Sequence, residues 1–451
     1  MTGFSKDLFS GRRFAVLGLG RNGLPAAQAL ASMGAEVAAW DDDAGRRDAA
    51  GPLARMPDLA RTDALVLSPG IPHRLPAPHP IAAAAVAAGV PILSDAELLF
   101  AAVRASGSRA RFAGITGTNG KSTTTALLAH ILAGAGVAVA AGGNLGTAAL
   151  ALPRLPDDGV YVLEMSSYML ERLATLRFDA AAMLNLSPDH LDRHGDMAGY
   201  AAAKRSIFAR QDADDLAVLG IDDAGSRAMR AGLRARVVTV SGCAPADAWC
   251  DRGVLRDAGG PLLAMRDAPA LPGAHNAQNA AAAAALARGL GVGRRAIAAG
   301  IASFPGLPHR QRCIARVGDI DFIDDSKATN ADATACALGC YPRVVWIAGG
   351  IAKEGGIEPL SPFFSRIVHA LLIGRDGPAL ATTLAAHGTA HTLAGTLEEA
   401  VPAALGFARR ECAPVLLSPA CASFDQFSGF EARGERFATL ARALGAKVEA
   451  A

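Results

Sequence analysis

The residues Gly117-Thr118-Asn119-Gly120-Lys121-Ser122-Thr123 combine a glycine turn, a lysine and hydroxyls in the order that phosphate chemistry requires. They follow an apolar run at 112–115 and open a leucine- and alanine-rich stretch, so they read as a turn between a strand and a helix. Such a turn aims backbone N–H groups at a phosphate, and the helix end favours negative charge. Lys121 would reach the β- and γ-phosphates, and the Ser122 hydroxyl would ligate Mg²⁺. A strict Walker loop has a glycine five residues before Gly120, where this chain has Ile115. An ordinary glycine turn would use the same residues.

Glu164 follows the apolar run 160–163, and His190 follows the run around Met183. Ligands collect at the carboxyl ends of parallel strands, which would put Glu164, His190 and Ser122 on one sheet edge. One carboxylate, one imidazole and phosphate oxygens form a set suited to Mg²⁺. Taken singly, Glu164 reads as a solvated carboxylate, His190 as a loop histidine and Lys204 as a charge on an amphipathic helix. The phosphate loop is what gives them meaning as a group.

A second glycine pattern, Gly18-Leu19-Gly20-Arg21-Asn22-Gly23, also follows a strand, and Asp41 ends the next one. Taken alone, this is a dinucleotide-binding fingerprint and suggests an NAD-dependent oxidoreductase. The loop at 117–123 counts against that reading, because a dehydrogenase has no use for Lys121 and Ser122. A third reading is an ATP-driven switch or partner-binding module, which hydrolysis without a second substrate would favour.

The elements that must position these residues alternate in type. Apolar runs at 14–17, 37–40 and 64–67 are separated by helical stretches, and the first segment closes near residue 100. The pattern restarts at 112–115, with further runs at 160–163, 181–184, 216–219 and 237–240 and an alanine-rich helix over 276–289. After the turn-rich stretch 304–310, runs at 344–347, 370–373 and 414–417 follow. Strand–helix alternation implies parallel sheets flanked by helices. We therefore expect three consecutive α/β domains: 1–100, 101–304 and 305–451. From 122 to 153 there is no Asp, Glu, Lys or Arg, but the unbroken apolar part, 131–143, is shorter than the ~20 residues of a spanning helix. It reads as a buried helix followed by a strand.

Composition narrows the class. The 451 residues carry 44 basic and 42 acidic side chains, a net charge of +2, so nucleic acid is not an expected partner. Seven cysteines, an odd number with no CxxC pair, argue against a disulfide framework or zinc site and for a reducing, cytoplasmic setting. Cys336 and Cys340, at helical spacing, read as packing residues. The first residues lack the charged leader and apolar core of a secretion signal and read as mature sequence.

Several longer stretches, in order, resemble the Mur ligase family over nearly the whole chain. They are GTNGKST at 117–123, LEMSSYMLE at 163–171, NLSPDHLDRH at 185–194, AAAK at 201–204, LPGAHNAQNA at 271–280 and GLPHR at 306–310. DDSKATN at 324–330 and SPACASFDQF at 418–427, followed by GFEARGERF, resemble the branch of that family that adds D-glutamate. The resemblance implies a Rossmann-like UDP-binding domain, a central P-loop-like ATPase domain and a Rossmann-like C-terminal domain. It implies ATP and Mg²⁺ as cofactors, and UDP-N-acetylmuramoyl-L-alanine and D-glutamate as substrates, with no membrane and a monomeric enzyme. ATP would phosphorylate the muramoyl-alanine carboxylate, and the glutamate amine would attack the acyl phosphate. An L-glutamate-adding relative of the same fold is the nearest alternative.

By motif, the resemblance assigns Gly117 to Thr123 to the ATP phosphates, with Lys121 and Ser122 central. Ser122, Glu164, His190 and a carbamylated Lys204 would serve Mg²⁺. Asn276 and Asn279 would face adenine, and Arg310 and Asp325 the nucleotide. Arg21, Asn22 and Gly23 would hold the UDP diphosphate, with Asp41 near the uracil; Asn144, Ser167 and His190 would approach the muramoyl end. Lys327, Thr329, Lys353, Ser423, Phe424 and Phe430 would surround D-glutamate. Met169 replaces a glutamine of the family pattern, 190–204 is one residue short of it, and Ile351-Ala352 fills a turn that often carries Asp-Gly.

Overall fold

A computed structural model describes residues 3–144 and 146–449, with side chains through 445. The described residues form three sheets in succession. The first is fully parallel: β1 (Arg13–Leu17), β2 (Glu36–Trp40), β3 (Ala64–Leu67) and β4 (Ile92–Leu93), in the order β2-β1-β3-β4. The second has nine strands: β5 (Arg111–Thr116), β6 (Val139–Gly143), β7 (Val160–Glu164), β8 (Ala180–Met183), β9 (Leu216–Gly220), β10 (Arg236–Ser241), β11 (Ala248–Asp251), β12 (Val254–Asp257) and β13 (Gly260–Ala264). Their order is β13-β12-β11-β10-β9-β8-β5-β7-β6, and only β12 pairs antiparallel with its neighbours. The third contains β14 (Arg312–Val317), β15 (Ile320–Asp324), β16 (Val344–Gly349), β17 (Ile367–Ile373), β18 (His391–Gly395) and β19 (Val415–Leu417), ordered β14-β15-β19-β16-β17-β18. Here only the β14–β15 pair is antiparallel.

The central strands are continuous apolar runs because helices cover both faces of a parallel sheet. β3, β8 and β16 are buried at every position. The charge-free stretch resolves into the helix Lys121–Gly134 and then β6, as the sequence suggests. The alanine-rich helix runs Ala274–Gly289. Strands absent from the sequence reading are the short β4, the meander β11–β13, the β14–β15 hairpin and β18. Most of these are half-exposed edge elements carrying Arg, Asp or His, so the apolar-run signal is missing.

The described chain packs as two compact units: 1–267 with 276–304, and 268–275 with 305–451. The first holds two sheets, joined through the helix Asp95–Ala105. The buried Asp95 carboxylate accepts from the Ala149 backbone at 2.8 Å. Glu97 accepts from the backbone of Ala174, Thr175 and Leu176 at 2.9, 2.6 and 3.0 Å. These bonds tie the segment after the first sheet into the second.

Candidate active site

β5 lies between β7 and β8 in the second sheet, so the chain leaves it towards opposite sides at its carboxyl end. The loop 117–120 occupies that switch point. Gly120 caps the helix Lys121–Gly134 with φ +83°, and a Cβ there would run into the Asn279 side-chain oxygen. Only glycine satisfies both conditions. The loop is braced by Asn185: its carbonyl accepts from Thr118 N at 2.9 Å, and its side-chain oxygen accepts from Asn119 N at 2.8 Å. Lys121 Nζ folds over the turn and donates to the carbonyls of Gly117 and Thr118, at 2.9 and 2.7 Å. Ser122 is buried and Thr123 half-buried. Asn279 Nδ2 donates to Asn276 Oδ1 at 3.0 Å, so these two residues brace each other beside the loop.

Glu164 ends β7, in register with Ile115 of β5 and Gly143 of β6. Its side chain is only 2% exposed. Oε1 accepts from Asn144 Nδ2 at 2.7 Å, whereas Oε2 is buried without a hydrogen-bond partner among the described residues. A buried carboxylate oxygen without a donor costs on the order of 1–3 kcal/mol or more, a cost that a cation would remove. Lys204, on the helix Met197–Arg205, is equally buried; its Nζ donates to Gly117 O at 2.7 Å and lies 4.7 Å from the Tyr200 ring centroid. Burial, and secondarily the Lys121 cation, push the Lys204 amine well below the usual lysine range. His190 stands in the left-handed region, φ +54°, half-exposed, with its ring 5.1 Å from Tyr168. Among the described residues no three His, Cys, Asp or Glu side chains gather as a metal cluster. A cation here would therefore draw on Glu164, His190, Ser122 and oxygens from other sources.

Ser167 takes a form that the sequence did not reveal. His194 Nε2 lies 2.9 Å from its Oγ, and His194 Nδ1 lies 2.9 Å from Glu171 Oε1, so its hydroxyl is already engaged. Met169, where the family pattern has glutamine, is a core residue.

A cleft of about 600 Å³ opens at the carboxyl ends of β1 and β2. Arg21, Asn22, Asp41 and Asn144 line it together, while Gly23 lies at the start of the helix Gly23–Ser32. Asn22 Nδ2 donates to Gly143 O at 3.0 Å, latching this loop to the end of β6. Asp41 accepts from the backbone of Leu19 and Asp43 at 2.7 and 2.9 Å. Burial pushes its carboxyl up, but those two N–H groups and Arg46 outweigh it, so the pKa lies below the ordinary value.

In the second unit, the residues expected around the amino acid lie beyond the carboxyl ends of β15, β16 and β19. Asp325 is buried and accepts from Ser418 Oγ at 2.7 Å; burial pushes its carboxyl up to about 7 against the pull of Ser418 and Arg310. Lys327 Nζ lies 4.0 Å from the Phe430 ring centroid. Thr329 is half-buried, Ser423 buried, Lys353 exposed, and Phe424 71% exposed. The unusual Ile351-Ala352 turn is fixed by backbone pairing of Ile351 with Ala422 and by Ala352 N donating to Asp376 at 2.8 Å. Arg433, which the sequence reading gave no role, is fully buried and donates to Ser326 O, Cys421 O and Gly349 O at 2.8, 3.1 and 3.4 Å. It holds three of these loops at once.

Residues 115–287 match the Mur ligase middle domain. The fold is that of UDP-N-acetylmuramate-alanine ligase MurC from Thermotoga maritima, with a TM-score of 0.61 at 18% identity over 96% of this chain and 99% of that one. The MurF ligase of the same organism, solved in complex with ADP, gives a TM-score of 0.59 at 18% identity over 98% and 99%. Fold and phosphate loop together define a Mur-type ligase. In sequence, the chain is 49% identical to the UDP-N-acetylmuramoylalanine--D-glutamate ligase of Paramagnetospirillum magneticum over 98% of both chains. It is 46% identical to the enzyme of that name from Caulobacter vibrioides over 97% of both. The chain belongs to this family, the D-glutamate ligases among the Mur ligases.

Proposed function

We propose that this enzyme uses ATP to join D-glutamate to UDP-N-acetylmuramoyl-L-alanine in the synthesis of peptidoglycan precursors. The observation that carries the reading is the phosphate loop beside a buried, half-satisfied Glu164, in a chain similar over nearly its whole length to ligases of that name. A carboxylate and an amine do not condense in water without activation. Transfer of the γ-phosphoryl group to the carboxylate gives an acyl phosphate and ADP. The amine nitrogen then bonds to the acyl carbon, phosphate leaves with the C–O electron pair, and the amine releases a proton.

The residues divide this work. Lys121 leaves its two loop carbonyls to neutralise the β- and γ-phosphates, and the N-terminus of the helix Lys121–Gly134 favours their negative charge. Such transfer is catalysed mainly by positioning and electrostatics. Glu164, His190, Ser122 and Lys204 as its carbamate suit Mg²⁺, which would offset charge on the transferring phosphoryl group. The depressed Lys204 amine supports that assignment, because only a neutral amine takes up CO₂. Asn276, Asn279, Arg310 and Asp325 serve the adenine nucleotide. Arg21, Asn22, Gly23 and Asp41 serve the uridine nucleotide, with Asn144, Ser167 and His190 towards the muramoyl end. Lys327, Thr329, Lys353, Ser423, Phe424 and Phe430 serve D-glutamate. A division into domains 1–100, 101–304 and 305–451 accompanies this reading, one sheet to each substrate.

Phosphate release from ATP, assayed with the nucleotide substrate and D-glutamate, L-glutamate or no amino acid, tests the reading. Release and amide formation should require D-glutamate. Release with L-glutamate alone, or equal release without any amino acid, would overturn it.

A further inference from the structure

Arg172 follows the short helix Ser167–Leu170 of the second sheet, yet its side chain reaches the first. It is 3% exposed. Nη1 donates to the carbonyls of Leu67 and Ser68 at 2.8 and 3.1 Å, and Nη2 to Ile71 at 2.8 Å. Its own carbonyl accepts from Ser94 N at 3.1 Å. Burial lowers its pKa to about 10, so it remains a cation at neutral pH.

Burying a cation on carbonyl oxygens is costly, and an apolar residue would fill the volume more cheaply. What a guanidinium provides is a planar fork with fixed donor directions, able to read three carbonyls at once. Those carbonyls belong to the last residue of β3 and to the turn that follows it. Residues 68–71 of that turn wall the 600 Å³ cleft. Ser68 carries the constraint onward: its Oγ donates to Gly18 O at 2.7 Å, on the facing glycine loop. Both walls of the cleft are thus fixed from one side chain that does not line it.

We propose that Arg172 is a positioning residue that sets the width of the uridine-nucleotide cleft and so its affinity. The inference rests on the reading that this cleft takes the uridine nucleotide. It assigns the second sheet a part in binding a ligand held by the first.

Calorimetric titration of UDP-N-acetylmuramoyl-L-alanine, UDP and ATP separately into wild type, Arg172→Lys and Arg172→Ala tests it, with thermal melts to establish folding. Lysine cannot reproduce the fork. We expect both uridine ligands to bind about tenfold more weakly to Arg172→Lys, about 1.4 kcal/mol, with ATP affinity within twofold of wild type. Guanidinium ion should restore part of the loss in Arg172→Ala. Uridine affinity within twofold of wild type in either folded variant would overturn the proposal. So would a parallel loss of ATP and UDP binding, or failure of both variants to fold, since each describes a general structural pin. A wild-type enzyme that binds ATP but neither uridine ligand would instead sink the reading of the cleft itself.

Discussion

Two loops in this molecule look alike in sequence and have been built for different tasks. Gly18–Gly23 and Gly117–Ser122 each join a strand of a parallel sheet to a helix. In the first, Gly18 has φ +89°, and a Cβ there would lie 2.8 Å from that of Ser68, while Asn22 is held by Gly143 O. This loop packs against Ser68 and Gly143 and lines the cleft. In the second, a lysine stands at the first helical position, lying over two carbonyls that a phosphate would replace as its partner. Lysines are absent from the first loop, whose one charge is Arg21 at the cleft. A glycine pattern therefore says that backbone approaches something closely; the neighbouring cation and hydroxyl say that it is a reacting phosphate.

The largest effect should come from removing that cation. In Lys121→Ala, kcat should fall roughly 10²–10³-fold, the range for loss of one preorganised charge contact. Steady-state phosphate release measures it, and the KM for the nucleotide substrate should hold. A drop in kcat below tenfold would break the distinction between the loops.

A smaller effect should follow from cutting the latch. Asn22→Ala removes one part-buried hydrogen bond of about 0.5–1.5 kcal/mol, so the KM for the uridine substrate should rise about two- to tenfold with the KM for ATP unchanged. An ATP-specific effect would mean that the first loop serves the wrong nucleotide.

Much of this was legible in the sequence because the signals are local. The strands that carry the site are largely apolar runs; Glu164 ends one of them, and Lys121 and His190 lie within the loops or helix starts that follow the others. What stayed hidden depends on distant or half-exposed partners. Arg172 and Arg433 bind backbone carbonyls, which every residue possesses, so no pattern marks their partners. The Ser167–His194–Glu171 array links the two ends of a segment that the spacing alone does not fold back on itself. GxGxxG with Asp41 pointed towards a dinucleotide because the glycines and the carboxylate after the next strand stand at the spacing of that fingerprint. In the structure its carboxylate accepts from the backbone of Leu19 and Asp43, holding the loop itself.

The most direct test of the two-loop account is equilibrium binding of ATP, UDP and NADH, each alone, to wild type, Lys121→Ala and Gly20→Ala. Gly20 lies at the cleft with nothing within 4 Å of an added Cβ, so alanine there intrudes on the ligand and not on the fold. The account predicts that Lys121→Ala loses ATP and keeps UDP, that Gly20→Ala loses UDP and keeps ATP, and that NADH binds neither loop measurably. Loss of both nucleotides in either folded variant, or NADH binding that Gly20→Ala abolishes, would contradict it.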